Sequence, residues 1–310
     1  MTILSYAAAS AARVRRDPVR PRLAVIVSTF ERPGHLRRCL QSIAAQRDVV
    51  DLVEVIVTDD GSQDGTLALV ADFSSRVPFR VACTSHPHEG FRLARSRNEG
   101  VAAALADGIL FTDGDCLLPP GTLAAYLSAI CPGRIAGGDC WRLDEQATRS
   151  LGRDPIPAGL PAAVGDAERR RLARKARRAK IYELMRLPMR PRLCGNAIGI
   201  TRADFERLNG FDEEFVGWGL EDRDLQQRAE RLGIRVRSMH HRPFIHQWHP
   251  IAASFVRNAV GTNNERHHRR RDKPPQCALG YRQRITETLV AFDSRPPLIA
   301  LPVVARGRAA

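Results

Sequence analysis

The sequence predicts an α/β protein, a mostly parallel sheet flanked by helices on both faces. Three features carry that prediction. Short apolar, β-branched runs alternate with segments of helical periodicity from residue 23 to residue 130. The runs end in small polar or acidic residues rather than in hairpin turns. The composition, 44% hydrophobic and 26% charged over 310 residues, is that of a soluble globular chain with ample material for a core.

Leu23 to Ser28 is a β-branched run with no polar alternation, the pattern of a strand buried on both sides. Pro33 suits the first turn of a helix, and Leu36, Leu40 and Ile43 follow at helical spacing. A second strand, Val53 to Thr58, runs into Asp59-Asp60-Gly61-Ser62-Gln63-Asp64-Gly65-Thr66, a stretch dense in turn formers among which Asp64 reads as one more. A helix over 66–73 and a strand over Phe79–Cys83 complete the next unit, and a helix over 91–106 with a strand over 108–113 completes a third. A further helix is expected over 119–130. Ligands of such sheets bind where loops leave the carboxyl ends of the strands. Thr29-Phe30-Glu31, Asp59-Asp60 and Asp113-Gly114-Asp115 all fall at that edge.

After Trp141 the pattern breaks into a Pro-, Gly- and Ala-rich stretch and then a basic helical segment, Arg169 to Lys180. Strand-like order returns over Leu193–Ile200, followed by a helix over 202–208, the turn Asn209-Gly210 and a helix ending near Leu232. The expected division is a flexible leader over 1–21, a main domain over 22–250 and a helical, basic tail over 251–310. Within the main domain, 22–141 forms one half, 142–192 a basic insert and 193–250 a second half.

The net charge of +14 favours anionic partners such as nucleotide phosphates or lipid headgroups. No aromatic interleaving, zinc spacing or helix-turn-helix signature marks a nucleic-acid module, so no specific nucleic acid is expected. Seven scattered cysteines without a CxxC pair fit neither a disulfide framework nor a zinc knuckle and suit a cytoplasmic setting. No apolar run reaches the roughly 20 residues that span a bilayer. The basic segment reads either as a solvated charged helix or as a peripheral contact with anionic membrane at the inner face of the cytoplasmic membrane.

Two acid pairs carry the chemistry. Asp113 and Asp115 close a buried strand, where carboxylate oxygens suit a divalent metal beside a phosphorylated donor. Glu221 and Asp222 follow Gly217-Trp218-Gly219-Leu220 and open a helix, where one carboxylate can serve as a general base. A helix-capping acid cluster is the plainer alternative for the second pair.

Val25 to Pro33, Val57 to Thr66, Ala94 to Gly100 and Phe111 to Asp115 resemble, in order, the motifs of family 2 glycosyltransferases. Phe211 to Phe215 and Gly217 to Asp222 resemble the acceptor segment of β-1,4-galactosyltransferases and chondroitin-polymerase-type enzymes. The resemblance covers about residues 22–250 and implies a GT-A fold, a nucleotide-sugar donor with UDP foremost, and an inverting, non-processive transfer to a glycan or lipid-linked glycan acceptor in surface polysaccharide synthesis. It implies that Asp113 and Asp115 hold Mn²⁺ or Mg²⁺, with His246 completing the site and His249 and His241 as competitors. Asp222 becomes the base, while Trp218, Gly219 and Glu221 meet the acceptor. The helix dipole is expected to keep Asp222 ionised. Thr29, Phe30 and Glu31 line the nucleoside pocket, Asp59 accepts from the uracil, Gly114 leaves room for the donor sugar, and Arg95 and Arg97 meet the diphosphate.

The QxxRW signature of processive synthases is missing, and the 142–192 insert has no placed counterpart. Two rivals stand beside the transferase. A nucleotidyltransferase predicts a Gly- and Lys-rich phosphate loop, which Ser28 to Pro33 is not. A basic, non-catalytic adaptor predicts anionic-polymer binding through 169–180 and 266–273.

Overall fold

The computed structural model describes residues 20–151, 164–250, 259–270 and 274–294. The expected leader, most of the Pro-rich stretch after Leu151 and the end of the basic run at 271–273 lie outside the described residues. In chain order the first elements are β1 (Leu23–Thr29), α1 (Pro33–Ala44), a 3-10 turn (Arg47–Leu52), β2 (Val53–Asp59), α2 (Thr66–Ser74), β3 (Arg80–Ser85), α3 (Leu93–Ala103) and β4 (Gly108–Asp113). Then come β5 (Cys116–Leu117), α4 (Thr122–Ala129), β6 (Arg134–Gly137), β7 (Cys140–Arg142), α5 (Glu145–Arg149) and α6 (Asp166–Leu184). The last are β8 (Ile198–Thr201), α7 (Arg202–Arg207), α8 (Glu221–Arg231), β9 (Arg235–Ser238), β10 (Phe244–His246), α9 (Ala259–Arg269), α10 (Tyr281–Glu287) and β11 (Val290–Asp293).

The main sheet has the order β11-β3-β2-β1-β4-β8-β6-β9. Strands β1 to β4 are mutually parallel where they pair, whereas β8 runs antiparallel to both neighbours and β11 antiparallel to β3. The β1 residues alternate between two cores. Leu23, Val25 and Val27 pack with Leu36, Leu40 and Ile43 of α1, while Ala24 and Ile26 join α3, α7, α8 and α10 on the opposite face. A helix layer on each face is why the strand shows no polar alternation.

Gly100 sets how closely α3 lies on the sheet. A Cβ there would stand 2.4 Å from Ile26 Cγ2 and 2.7 Å from Thr58 Cγ2. The close seat carries the α3 side chains to the strand ends.

Asp64 forms a turn ahead of α2, accepting from the Thr66 backbone N–H at 2.9 Å. Two expectations needed extension. The strand-like run at 193–200 is a strand only from Ile198, because Leu193 to Asn196 turn along the cleft instead. The segment taken as a tail joins the sheet: Tyr281 packs in the second core, and Asp293 at the end of β11 pairs with the buried Arg80 at 2.6 Å. No helix among the described residues is long and apolar enough to cross a membrane.

Candidate active site

Strand register gathers the acids. Thr29 lies opposite Asp59, and Ser28 opposite Asp113, so the ends of β1, β2 and β4 are level. They border a cleft of about 1350 Å³, whose lining includes Thr29, Phe30, Asp113, Gly114 and Asp115 from these ends and Trp218 to Arg223 from the far side.

A small three-stranded sheet, β5-β10-β7, supplies the rest of the acid edge. His246 sits opposite Cys116, the residue after Asp115. Gln247 is buried and pinned: its N–H donates to Asp115 O at 2.9 Å, and its side-chain amide donates to the carbonyls of His35 and Asp115 at 3.2 Å each. That anchor brings His246 and His249 to the same carboxylate, His249 Nε2 at 3.1 Å from Asp115 Oδ2 and His246 Nε2 at 3.6 Å from Oδ1. One ligand atom from each of Asp115, His246 and His249 lies within 4.8 Å of the others. Burial alone would raise Asp115, but the bond to His249 and the charges of His246, His249 and Arg32 hold it below its ordinary value. The bond to Asp115 raises His249 in turn. His241 is exposed and stands outside the cluster.

Asp113 turns elsewhere. Arg97, 1% exposed, donates from Nη2 to Asp113 Oδ1 at 3.2 Å and to Gly195 O at 2.8 Å, and from Nη1 to Glu221 Oε1 at 3.0 Å. Its guanidinium also lies 5.1 Å over the Phe211 ring. Both terminal nitrogens are thus engaged by protein oxygens, so Arg97 clamps the two acid pairs together where a contact to diphosphate was expected. Arg95 donates to Glu99 at 2.8 Å.

The Glu221-Asp222 pair begins α8, preceded by Gly217, Gly219 and Leu220, all at positive φ (82°, 91° and 77°). Glycine tolerates that conformation without penalty, which accounts for two of the three. The loop is fixed from outside by Gly217 N–H to Phe91 O at 2.8 Å and by Asn263, whose amide donates to Gly219 O at 3.1 Å. Trp218 is 55% exposed at the cleft. Burial, then the neighbouring Asp222, push Glu221 up to about 7 despite Arg97. Asp222 is half-buried and also raised, chiefly by burial, although Arg97 and the Arg223 N–H at 2.7 Å act the other way. The helix dipole was expected to keep Asp222 ionised; burial works against it and raises the carboxyl above its ordinary value.

The nucleoside side differs in detail. Asp59, 1% exposed, accepts from Ser62 N–H at 3.0 Å, from Ser62 Oγ at 2.5 Å and from Ser85 Oγ at 2.9 Å, and so staples the loop. Its neighbour Asp60 lines the cleft, held by His86 Nε2 at 2.8 Å. The Phe30 ring stacks on His88 with centroids 4.1 Å apart. Glu31 is exposed with its N–H on Ser62 Oγ at 2.8 Å. A Cβ on Gly114 would meet Ser28 O and Thr29 Oγ1 at 3.2 Å each, so the β1 end occupies the room that its missing side chain leaves.

Sequence reading missed the Arg97 clamp, the His86 bridge and the place of the basic helix α6, whose Arg171, Arg174, Lys175 and Arg178 line the cleft. Alternating acids and bases in Asp60, His86 and Glu99 offered no spacing signal, since the three come together only through β2, β3 and α3.

Comparison with known proteins agrees with this architecture. The model of "Glycosyl transferase family 2" matches residues 24–184, and that of the "N-terminal domain of galactosyltransferase" matches 181–250. Validoxylamine A glucosyltransferase of Streptomyces hygroscopicus subsp. jinggangensis is 32% identical over 224 residues, covering 69% of this chain and 52% of its own. The chain thus spans about half the length of that relative. Among solved structures, the mannosyltransferase PcManGT from Pyrobaculum calidifontis, in complex with GDP-Man and Mn²⁺, aligns with a TM-score of 0.54 at 21% identity, covering 81% of this chain and 63% of that one. Residues 1–349 of S. aureus TarS, in complex with UDP-GlcNAc, align with a TM-score of 0.56 at 16% identity, covering 86% and 71%. The shared fold is GT-A.

Proposed function

The chain belongs to glycosyl transferase family 2, and from that membership we propose that it moves a sugar, with inversion, from a nucleotide donor to a hydroxyl of a glycan or lipid-linked glycan. The observation that carries the reading is one cleft lined both by Asp222 and by the Asp115, His246 and His249 cluster. A base and a phosphate-handling centre then face the same space, as a single in-line displacement requires.

Asp222 takes the proton of the acceptor hydroxyl as that oxygen attacks the anomeric carbon and the bond to the diphosphate breaks. Its raised proton affinity favours that transfer, and its backbone bond to Arg223 fixes the carboxylate plane. Glu221, held on Arg97, orients the acceptor by hydrogen bonding, and the exposed Trp218 offers an apolar face to a sugar ring. Thr29, Phe30 and Asp60 border the nucleoside end, with the Asp60 carboxylate buried against His86 as the Asp59 carboxylate is against Ser62 and Ser85. UDP is the favoured nucleotide, as in the TarS complex.

Two imidazoles and a carboxylate fit a divalent cation of the Mn²⁺ kind better than Mg²⁺, whose preference is for all-oxygen sites. Asp115, His246 and His249 would hold it, with Asp113 adjacent. When bound, such an ion neutralises charge developing on a diphosphate leaving group.

The test is UDP release from a panel of UDP-sugars with Mn²⁺, Mg²⁺ or chelator, for the wild type and Asp222→Asn. We expect metal-dependent release from one donor and a loss of about 100- to 10,000-fold in the variant, with UDP binding kept. Near-normal turnover of the variant would remove Asp222 as the base. Absence of metal-dependent UDP binding and release would sink the transferase reading.

A further inference from the structure

The cleft has a second wall of opposite charge to the acids. One face of α6 turns into it at helical spacing, with Arg171, Arg174, Lys175, Arg178 and Tyr182 all in the lining. Two of these cations are matched locally, Arg171 with Glu168 at 2.6 Å and Lys175 with the buried Asp139. Arg174 and Arg178 have no carboxylate partner among the described residues.

The wall continues past the helix. Arg190 and Arg192 line the cleft together with Arg223, the residue after Asp222, and these three also lack a carboxylate partner among the described residues. Arg190 lies over the Tyr182 ring at 5.7 Å, which ties the segment to α6. The charges of Arg190 and Arg223 push the Arg192 guanidinium below its ordinary value. Like charges gathered along a concave surface focus the field and favour an anion in the middle. The metal-suited cluster has its own cations, Arg32 at 3.4 Å from Asp115 and Arg142 opposite His246, so the donor phosphates do not require the α6 wall.

We propose that the acceptor is an anionic glycan, bearing a phosphate or carboxylate close to the hydroxyl that is glycosylated, and that Arg174, Arg178, Arg190 and Arg192 hold that charge. The inference rests on the glycosyltransferase reading above. Guanidinium forks suit either oxyanion. A soluble or chain-borne anion fits better than a bilayer surface, because these exposed cations line a cleft, whereas the equally exposed Arg170, Arg177 and Lys180 of the same helix do not.

The test uses the full chain with UDP and Mn²⁺ and measures binding of three labelled oligomers of equal length: hyaluronan, poly(glycerol phosphate) and a neutral maltooligosaccharide. The variant is Arg174→Ser/Arg178→Ser/Arg192→Ser. We expect at least one anionic oligomer to bind about tenfold tighter than the neutral one, a preference that shrinks with added salt. The variant should lose the preference while its UDP affinity stays within about twofold. Equal affinity for neutral and anionic oligomers would overturn the proposal, as would a preference that survives in the variant. A large loss of UDP affinity in the variant would reassign the arginines to the donor. Binding to phosphatidylglycerol vesicles, with no oligomer bound, would reassign them to a membrane. A wild type that binds no UDP in any metal fails at the earlier step, a result distinct from all of these, and takes this proposal down with it.

Discussion

His86 offers the sharpest physical test of the structure. Its Nδ1 lies 2.8 Å from Glu99 Oε2 and its Nε2 lies 2.8 Å from Asp60 Oδ1. Two carboxylates on the two ring nitrogens require two donors, so the ring is an imidazolium. Burial alone would lower its pKa, but the bonds to Asp60 and Glu99 outweigh that and lift it from 6.5 to about 9. Because the folded value is above the unfolded one, the stabilisation is fully present below the unfolded value of 6.5 and is lost as pH rises through about 9. A shift of roughly 2.5 units corresponds to about 3 kcal/mol. His86→Gln keeps a donor but cannot carry the charge. In urea unfolding from about pH 6 to about pH 10, the stability gap between wild type and His86→Gln should close by about 3 kcal/mol. Subtracting the two curves removes the titration of tyrosines and cysteines common to both. A gap constant to within about 0.5 kcal/mol across that range would refute the charged bridge. The consequence reaches the site, since this bridge fixes Asp60, a residue of the cleft lining.

Two further outcomes follow from packing and charge. Arg97→Met keeps the stem but leaves Asp113 and Glu221 without their shared buried cation, and should cost about 3–5 kcal/mol by urea unfolding. Retained stability would mean that the clamp across the cleft is dispensable. Gly100→Ala forces a methyl to 2.4 Å from Ile26 Cγ2 and should destabilise by about 1–3 kcal/mol in the same assay.

What could be read from the sequence was what local pattern determines. The β1 run, buried on both sides, and the acids after β2 and β4 reveal themselves because strand burial and turn chemistry act within a few residues. The level strand ends then follow from parallel pairing in register, which places Thr29 beside Asp59 and Ser28 beside Asp113. The acid pair at the start of α8 was legible for the same reason: two glycines and two acids in a row have few plain structural uses.

Partner choice across the fold was not legible, and the errors share one cause. Arg97 and Glu221 meet 124 residues apart, and an arginine on a helix looks alike whether it awaits a phosphate or a carboxylate. The partners of Asp59 and Asp60 were hidden for the same reason, since Ser85 and His86, which bind them, come from the end of β3 and the residue after it. The same holds for α6. Its sequence shows a cationic helix, while only its seat against β7 and β9 shows that one charged face looks inward toward Asp222. The net charge pointed to anions without saying where they would bind, and the lining of the cleft supplies a place for them. A basic helix that would be unremarkable on the outside of a protein becomes a statement about substrate when it lines the same cleft as the proposed base.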